Sequence, residues 1–246
     1  MNTLSLLYAV LLYLACAVLV VGLVRKLRQY AKTPAPLKIA LTPAPTTAGG
    51  VGWRLTREVV FFESLFRSSK WTWVFGWTFH FALLLVLLRH ARYFQQPVWG
   101  LIALLQPLGT YAGFAMVAAL AGLWARRWLV DRVRYISTPS DHLMLALLLA
   151  IGLSGLVMRF VAHTDIMAVK NFTLGLLSLQ VQPLPLDGPL LMHLALVAVL
   201  LFIFPISKLL HAPGLFFSPT RNMVDNPREA RHASTWVRNL DQAGGK

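Results

Sequence analysis

Long apolar runs alternate with short polar, basic stretches along this chain. Leu4 to Val24 carries no charge, and about 20 such residues suffice to cross a bilayer as a helix. No basic segment precedes this run and no small-residue cleavage site follows, so it reads as an uncleaved first span rather than a signal peptide. Lys32 to Gly50 (KTPAPLKIALTPAPTTAGG) is rich in Pro, Ala, Thr and Gly and reads as a linker. From Arg54 to Ser69, Leu55, Val59, Phe62 and Phe66 line one helical face, with Arg54, Arg57, Ser64 and Arg67 away from it. That pattern predicts either an amphipathic helix lying in the interface or an early start to the second span. Span two runs from Trp71 to about Leu88, with Trp71, Trp73 and Trp77 as an aromatic belt. Span three covers Trp99 to Trp124, span four Leu143 to Val161, and span five Pro189 to Leu210. The expected architecture is all-α and integral to the membrane. It has five transmembrane helices in residues 1–215 and a polar tail over 216–246.

Composition agrees. Only 13% of the 246 residues are charged and 57% are hydrophobic, where a soluble domain carries about a quarter charged. The formal net charge of +14 invites a nucleic-acid reading, but its distribution answers differently. The first loop (Arg25 to Lys70) holds nine Lys and Arg, the turn Arg126 to Arg134 four, and the tail from Lys208 six. The other side holds four: Arg89, Arg92, Arg159 and Lys170. By the positive-inside rule the N-terminus is outside and the tail cytoplasmic, and no nucleic-acid partner is needed. Cys16 is the one cysteine. It cannot hold an iron–sulfur cluster, which takes about four thiolates, so any such cluster belongs to a partner.

Ionisable groups inside a bilayer are costly and point to function. Span two carries His80 and His90, ten residues apart, and the fifth run carries His193 and His211, eighteen apart. Eighteen residues are five turns of an ideal helix, so His193 and His211 would share a face ~27 Å apart along the axis. His80 and His90 would lie ~15 Å apart, and Pro205 supplies a kink to reconcile the two spacings. In antiparallel spans His80 meets His211 toward the cytoplasm and His90 meets His193 toward the outside. Each pair then provides the axial ligands of one haem b iron, two haems in all. Bis-histidine ligation closes the iron to oxygen chemistry and suits electron transfer. The competing readings are helix-packing histidines in a cofactor-free anchor, or a metal carrier. Against the carrier, all nine acidic residues lie in loops or at helix ends.

The histidine pairs ten and eighteen apart resemble the NarI-like family, the dihaem cytochrome b subunits of nitrate reductase and its relatives. The likeness covers residues 1 to 215. The tail HAPGLFFSPTRNMVDNPREARH, with FFESLFRSSKWTW upstream, is similar to the DsrM-type branch, the cytochrome b subunit of a sulfur-metabolism complex. The resemblance implies a bacterial inner-membrane protein exchanging electrons with menaquinone or ubiquinone. It also implies a cytoplasmic iron–sulfur partner related to heterodisulfide reductase, with further membrane and periplasmic redox subunits. Nitrate-reductase members carry a lysine at the quinone pocket on the third span, whereas Pro97 to Trp124 has no basic residue.

Arg89, Arg92 and Arg159 cluster at the outer span ends, against the charge bias. They either bind haem propionates or a quinone oxygen, or snorkel to the interface. His163 and Asp165 are candidate proton acceptors or solvated loop residues. Lys208, Arg67 and Lys70 either meet inner propionates or act as topology signals. His142 reads as a cap-region residue, and His232 is not read as a ligand. Gly76, Gly109, Gly113, Gly152 and Gly155 either admit a porphyrin edge or let helices pack closely.

Overall fold

The computed structural model describes residues 2–33 and 43–225; His232 and most of the tail lie outside them. Among the described residues every regular element is helical. Five helices are long and apolar enough to cross a membrane: α1 (Thr3–Lys32), α4 (Lys70–His90), α5 (Gly100–Leu129), α7 (Pro139–Phe160) and α9 (Gly188–Ile203). Between them stand α2 (Ala48–Phe61), α3 (Glu63–Ser68), α6 (Asp131–Ile136) and α8 (Ile166–Leu177). Leu104 is 74% exposed and Val21 68%. Apolar side chains this open along whole helices face lipid, whose tails are as apolar as they are. The chain is a multi-pass membrane protein.

Two compact units divide the chain: Met1–Gly22 with Leu65–Ile206, and Leu23–Ser64 with Ser207–Lys246. In the first unit α4 packs along α5, α5 on α7, and α7 on α9. Its core joins Phe79 and Ala82 of α4 to Ala112, Met116, Ala119 and Leu120 of α5. The approach is close at Gly109, where a Cβ would stand 2.8 Å from Arg89 Cβ and 2.9 Å from the Leu85 carbonyl. Small residues bring membrane helices together in this way, and Gly113 and Gly152 likewise face side chains across α5–α7. A second cluster holds Ala9, Val169, Phe172, Leu184 and Leu190. There the Tyr13 hydroxyl donates to the Leu176 carbonyl at 2.7 Å, and the Leu184 N–H donates to Ser5 Oγ at 2.9 Å.

Three expectations need correction. Asp165, read as a proton acceptor or a solvated loop residue, stands at the head of a helix between spans four and five. Asp165 accepts from the N–H groups of Met167 and Ala168 and caps α8, a twelve-residue apolar helix. The fifth span does not run evenly to Leu210. Proline cannot donate to the helical ladder, and Phe204–Ile206 tightens into a 3₁₀ turn; Ser207 is then extended, φ −98° and ψ 170°. His211 opens a separate turn, His211–Gly214, so five even turns do not connect it to His193. Finally, Arg54 to Ser69 is two helices. Phe62 adopts the left-handed region at φ 52°, and Glu58 accepts from the Ser64 N–H at 3.2 Å at the start of α3.

In the second unit, Glu58 also pairs with Arg221 at 3.0 Å, and Arg57 with Glu63 at 3.0 Å. The polar side of α2 therefore faces protein while Trp53, Val59 and Val60 stand exposed. Leu55, expected on the open stripe, is half-buried.

Candidate cofactor site

His90 ends α4 and His193 sits in the second turn of α9. Their rings lie 6.4 Å apart, centre to centre, and within 14° of parallel. Two imidazoles sharing one metal ion would put their ring centres about 6.2 Å apart, from metal–nitrogen distances of roughly 2.0 Å and roughly 1.1 Å from each nitrogen to its ring centre. The observed separation matches.

The hydrogen bonds fix which nitrogen of each ring is left for a metal. His90 Nδ1 lies 2.7 Å from the Val86 carbonyl. A carbonyl only accepts, so Nδ1 carries a proton, and in the neutral ring Nε2 keeps the lone pair. His193 Nδ1 lies 2.9 Å from Ser154 Oγ, and the Ser154 hydroxyl donates its proton to the Ile151 carbonyl at 2.9 Å. Oγ therefore accepts from His193, and Nε2 again holds the lone pair. Metal-bound histidines hold their second nitrogen in this fashion. Gly155 stands next to Ser154, and a Cβ there would touch the His193 ring at 3.5 Å.

His80 follows the same rule ten residues earlier, its Nδ1 donating to the Gly76 carbonyl at 2.7 Å. His211 Nδ1 donates to the Lys208 carbonyl at 2.9 Å. His80 belongs to the first unit and His211 to the second. His142 is arranged oppositely: its Nδ1 accepts from the Trp124 indole N–H at 3.0 Å, which leaves its proton on Nε2. His163 is exposed and bonds only its own loop, to the Val161 carbonyl.

Beside the His90 end of α4, Arg89, Arg92 and Arg159 line one cavity of about 410 Å³ together with Gln106, Thr110 and Ile166. Arg89 donates to Thr110 Oγ1. Arg92 donates to Gln106 Oε1 at 3.1 Å, and Gln106 is itself held by its amide on the Ile102 carbonyl. Two guanidiniums are thus fixed on α5 with further N–H groups to spare, since each carries five. The cavity lining contains no carboxylate. Sequence reasoning grouped the three arginines by depth. It missed Ser154, Gln106 and Thr110, because an isolated polar residue in an apolar run carries no spacing signal.

Residues 62–232 match the family model described as the nitrate reductase gamma subunit. The chain belongs to the nitrate reductase gamma subunit family. Within the curated relatives, the "Hdr-like menaquinol oxidoreductase cytochrome b-like subunit" of Archaeoglobus fulgidus is 35% identical, over 91% of this chain and 81% of the relative. The protein of the same description from Archaeoglobus profundus is 32% identical, over 91% and 80%. The family match spans α3 to α9 and thus all four histidines of the two expected pairs.

Proposed function

We propose that the chain is a membrane dihaem cytochrome b that carries electrons between menaquinol and a cytoplasmic iron–sulfur subunit related to heterodisulfide reductase. The observation that carries this reading is the His90–His193 pair: parallel rings at the separation one iron requires, with each Nε2 lone pair left by a bonded Nδ1. A donor set of two imidazoles suits a porphyrin, whose macrocycle supplies the other four nitrogens. The sequence spacing assigns His80 and His211 to the second haem, and each Nδ1 bonds within its own segment. When bound, haem supplies a one-electron carrier at each depth.

The chain's own part is to hold and orient. Val86 and Ser154 fix the two imidazole planes. Arg89 and Arg92, braced by Thr110 and Gln106, would offer their remaining N–H groups to propionate carboxylates or a quinol oxygen, with Arg159 lining the same cavity. Cavities of ~300–1,000 Å³ accept small-molecule head groups, and this one is in range. The excess of basic residues in the first loop, second turn and tail supports an N-terminus outside and a cytoplasmic tail. Residues 1–215 form the membrane domain and 216–246 the tail that meets the partner. The tail motif supports a sulfur-metabolism complex of the DsrM type, and the "Hdr-like menaquinol oxidoreductase" descriptions of the two relatives support the menaquinol and the heterodisulfide-reductase-related partner.

Single His→Ala variants test the reading by reduced-minus-oxidised spectra of the purified protein. His90→Ala and His193→Ala each remove the same haem, and His80→Ala and His211→Ala the other. Wild-type protein without a haem α-band makes the chain an anchor and sinks the proposal.

A further inference from the structure

Lys170 lies in α8 and is only 9% exposed. Its side chain makes no hydrogen bond or ion pair with any described residue, and lysine is almost never buried without a partner. Residues three and four apart share a helix face, so Ile166, Lys170 and Thr173 stand in one row. Ile166 lines the cavity of the three arginines. At the other end, Thr173 Oγ1 donates to the Tyr93 carbonyl at 2.6 Å, and the Tyr93 ring packs edge-on to His90 at 5.9 Å. A helical side chain leans toward the turn before its own Cα, which for Lys170 is the turn of Ile166. Lys170 thus stands one turn along α8 from a cavity lined by Arg89, Arg92 and Arg159, with no acidic residue in the lining. Three arginines gathered without a carboxylate call for a bound anion with more than one negative charge, and Lys170 is placed to add a fourth positive charge to the field around it.

We infer that Lys170 is a positioning counter-charge for the two carboxylates of the porphyrin held between His90 and His193. This rests on the haem reading above. A nearby fixed cation favours the reduced, more negative state of the iron centre. At an effective dielectric of about 20 and a separation on the order of 10 Å, Coulomb's law makes one charge worth about tenfold in the reduction equilibrium. For a one-electron couple that is about 59 mV.

The test is a spectroelectrochemical titration of the full chain carrying Lys170→Met, which keeps the apolar stem, beside Lys170→Arg, which keeps the charge. The haem lost in His90→Ala identifies the couple to watch. In Lys170→Met its midpoint falls by about that amount, or that haem alone is lost, while the second couple stays put and Lys170→Arg behaves as wild type. Unchanged midpoints in Lys170→Met, or Lys170→Arg behaving like Lys170→Met, overturn the inference. So does loss of copurifying anionic phospholipid with both midpoints unchanged, since the anion is then a lipid phosphate. Two haems retained in His90→Ala would instead sink the haem reading itself.

Discussion

Ser154 shows how much one hydroxyl decides. It is 2% exposed, gives its proton to Ile151, and thereby sets the tautomer of His193. Partners of this kind typically account for about 10–100-fold in metal affinity. Ser154→Ala is therefore expected to weaken retention of the haem assigned to His90 and His193 by about that factor, read as haem-to-protein ratio after dilution, with the other haem unaffected. The four histidines could be found in the sequence because a charged or polar ring in an apolar run is conspicuous. Ser154 could not, because serine is common in membrane helices and its role appears only when α9 brings His193 against α7. His142 and His163 were separable by depth alone, and the direction of the Trp124–His142 bond now gives a chemical reason.

At the scale of elements, the spans were legible because hydropathy reports the solvent around a helix, and lipid surrounds these on most sides. α8 buries one side in protein, where Phe172 is fully buried, and leaves Met167 and Leu177 exposed on the other; twelve residues are too few to register as a span. The end of the fifth span misled for a different reason. Pro205 signalled a kink, but the extended Ser207 that follows has no marker in an otherwise apolar sequence. The glycines resolve by neighbour: Gly109 abuts α4, whereas Gly155 faces an imidazole. Gly109→Ala pushes a methyl into Arg89 and the Leu85 carbonyl, an overpacking that costs about 1–3 kcal/mol. A lowered Tm in detergent is the expected result, with the α4–α5 seam the first to loosen.

For the whole molecule, the balance of basic residues supplies orientation, and thiol labelling checks it. With Cys16 replaced by Ser, Ala162→Cys is expected to react with an impermeant reagent from the outside, and Tyr135→Cys only after the membrane is opened. Both positions are exposed. The reverse pattern would invert the membrane and put His90 nearer the cytoplasm than His80. The exposed apolar side of α2 joins Val59 of the expected stripe to Trp53 and Val60 beyond it, while Glu58 pairs with Arg221 inside the second unit.

The bonded Nδ1 atoms of His90 and His193 have one further effect. Each ring is braced by its own helix or by a neighbouring hydroxyl, so its plane is set without help from any bound group. A ligand bridging the proposed pair would meet two imidazoles with little rotational freedom left to lose, the general advantage of a receptor ordered in advance.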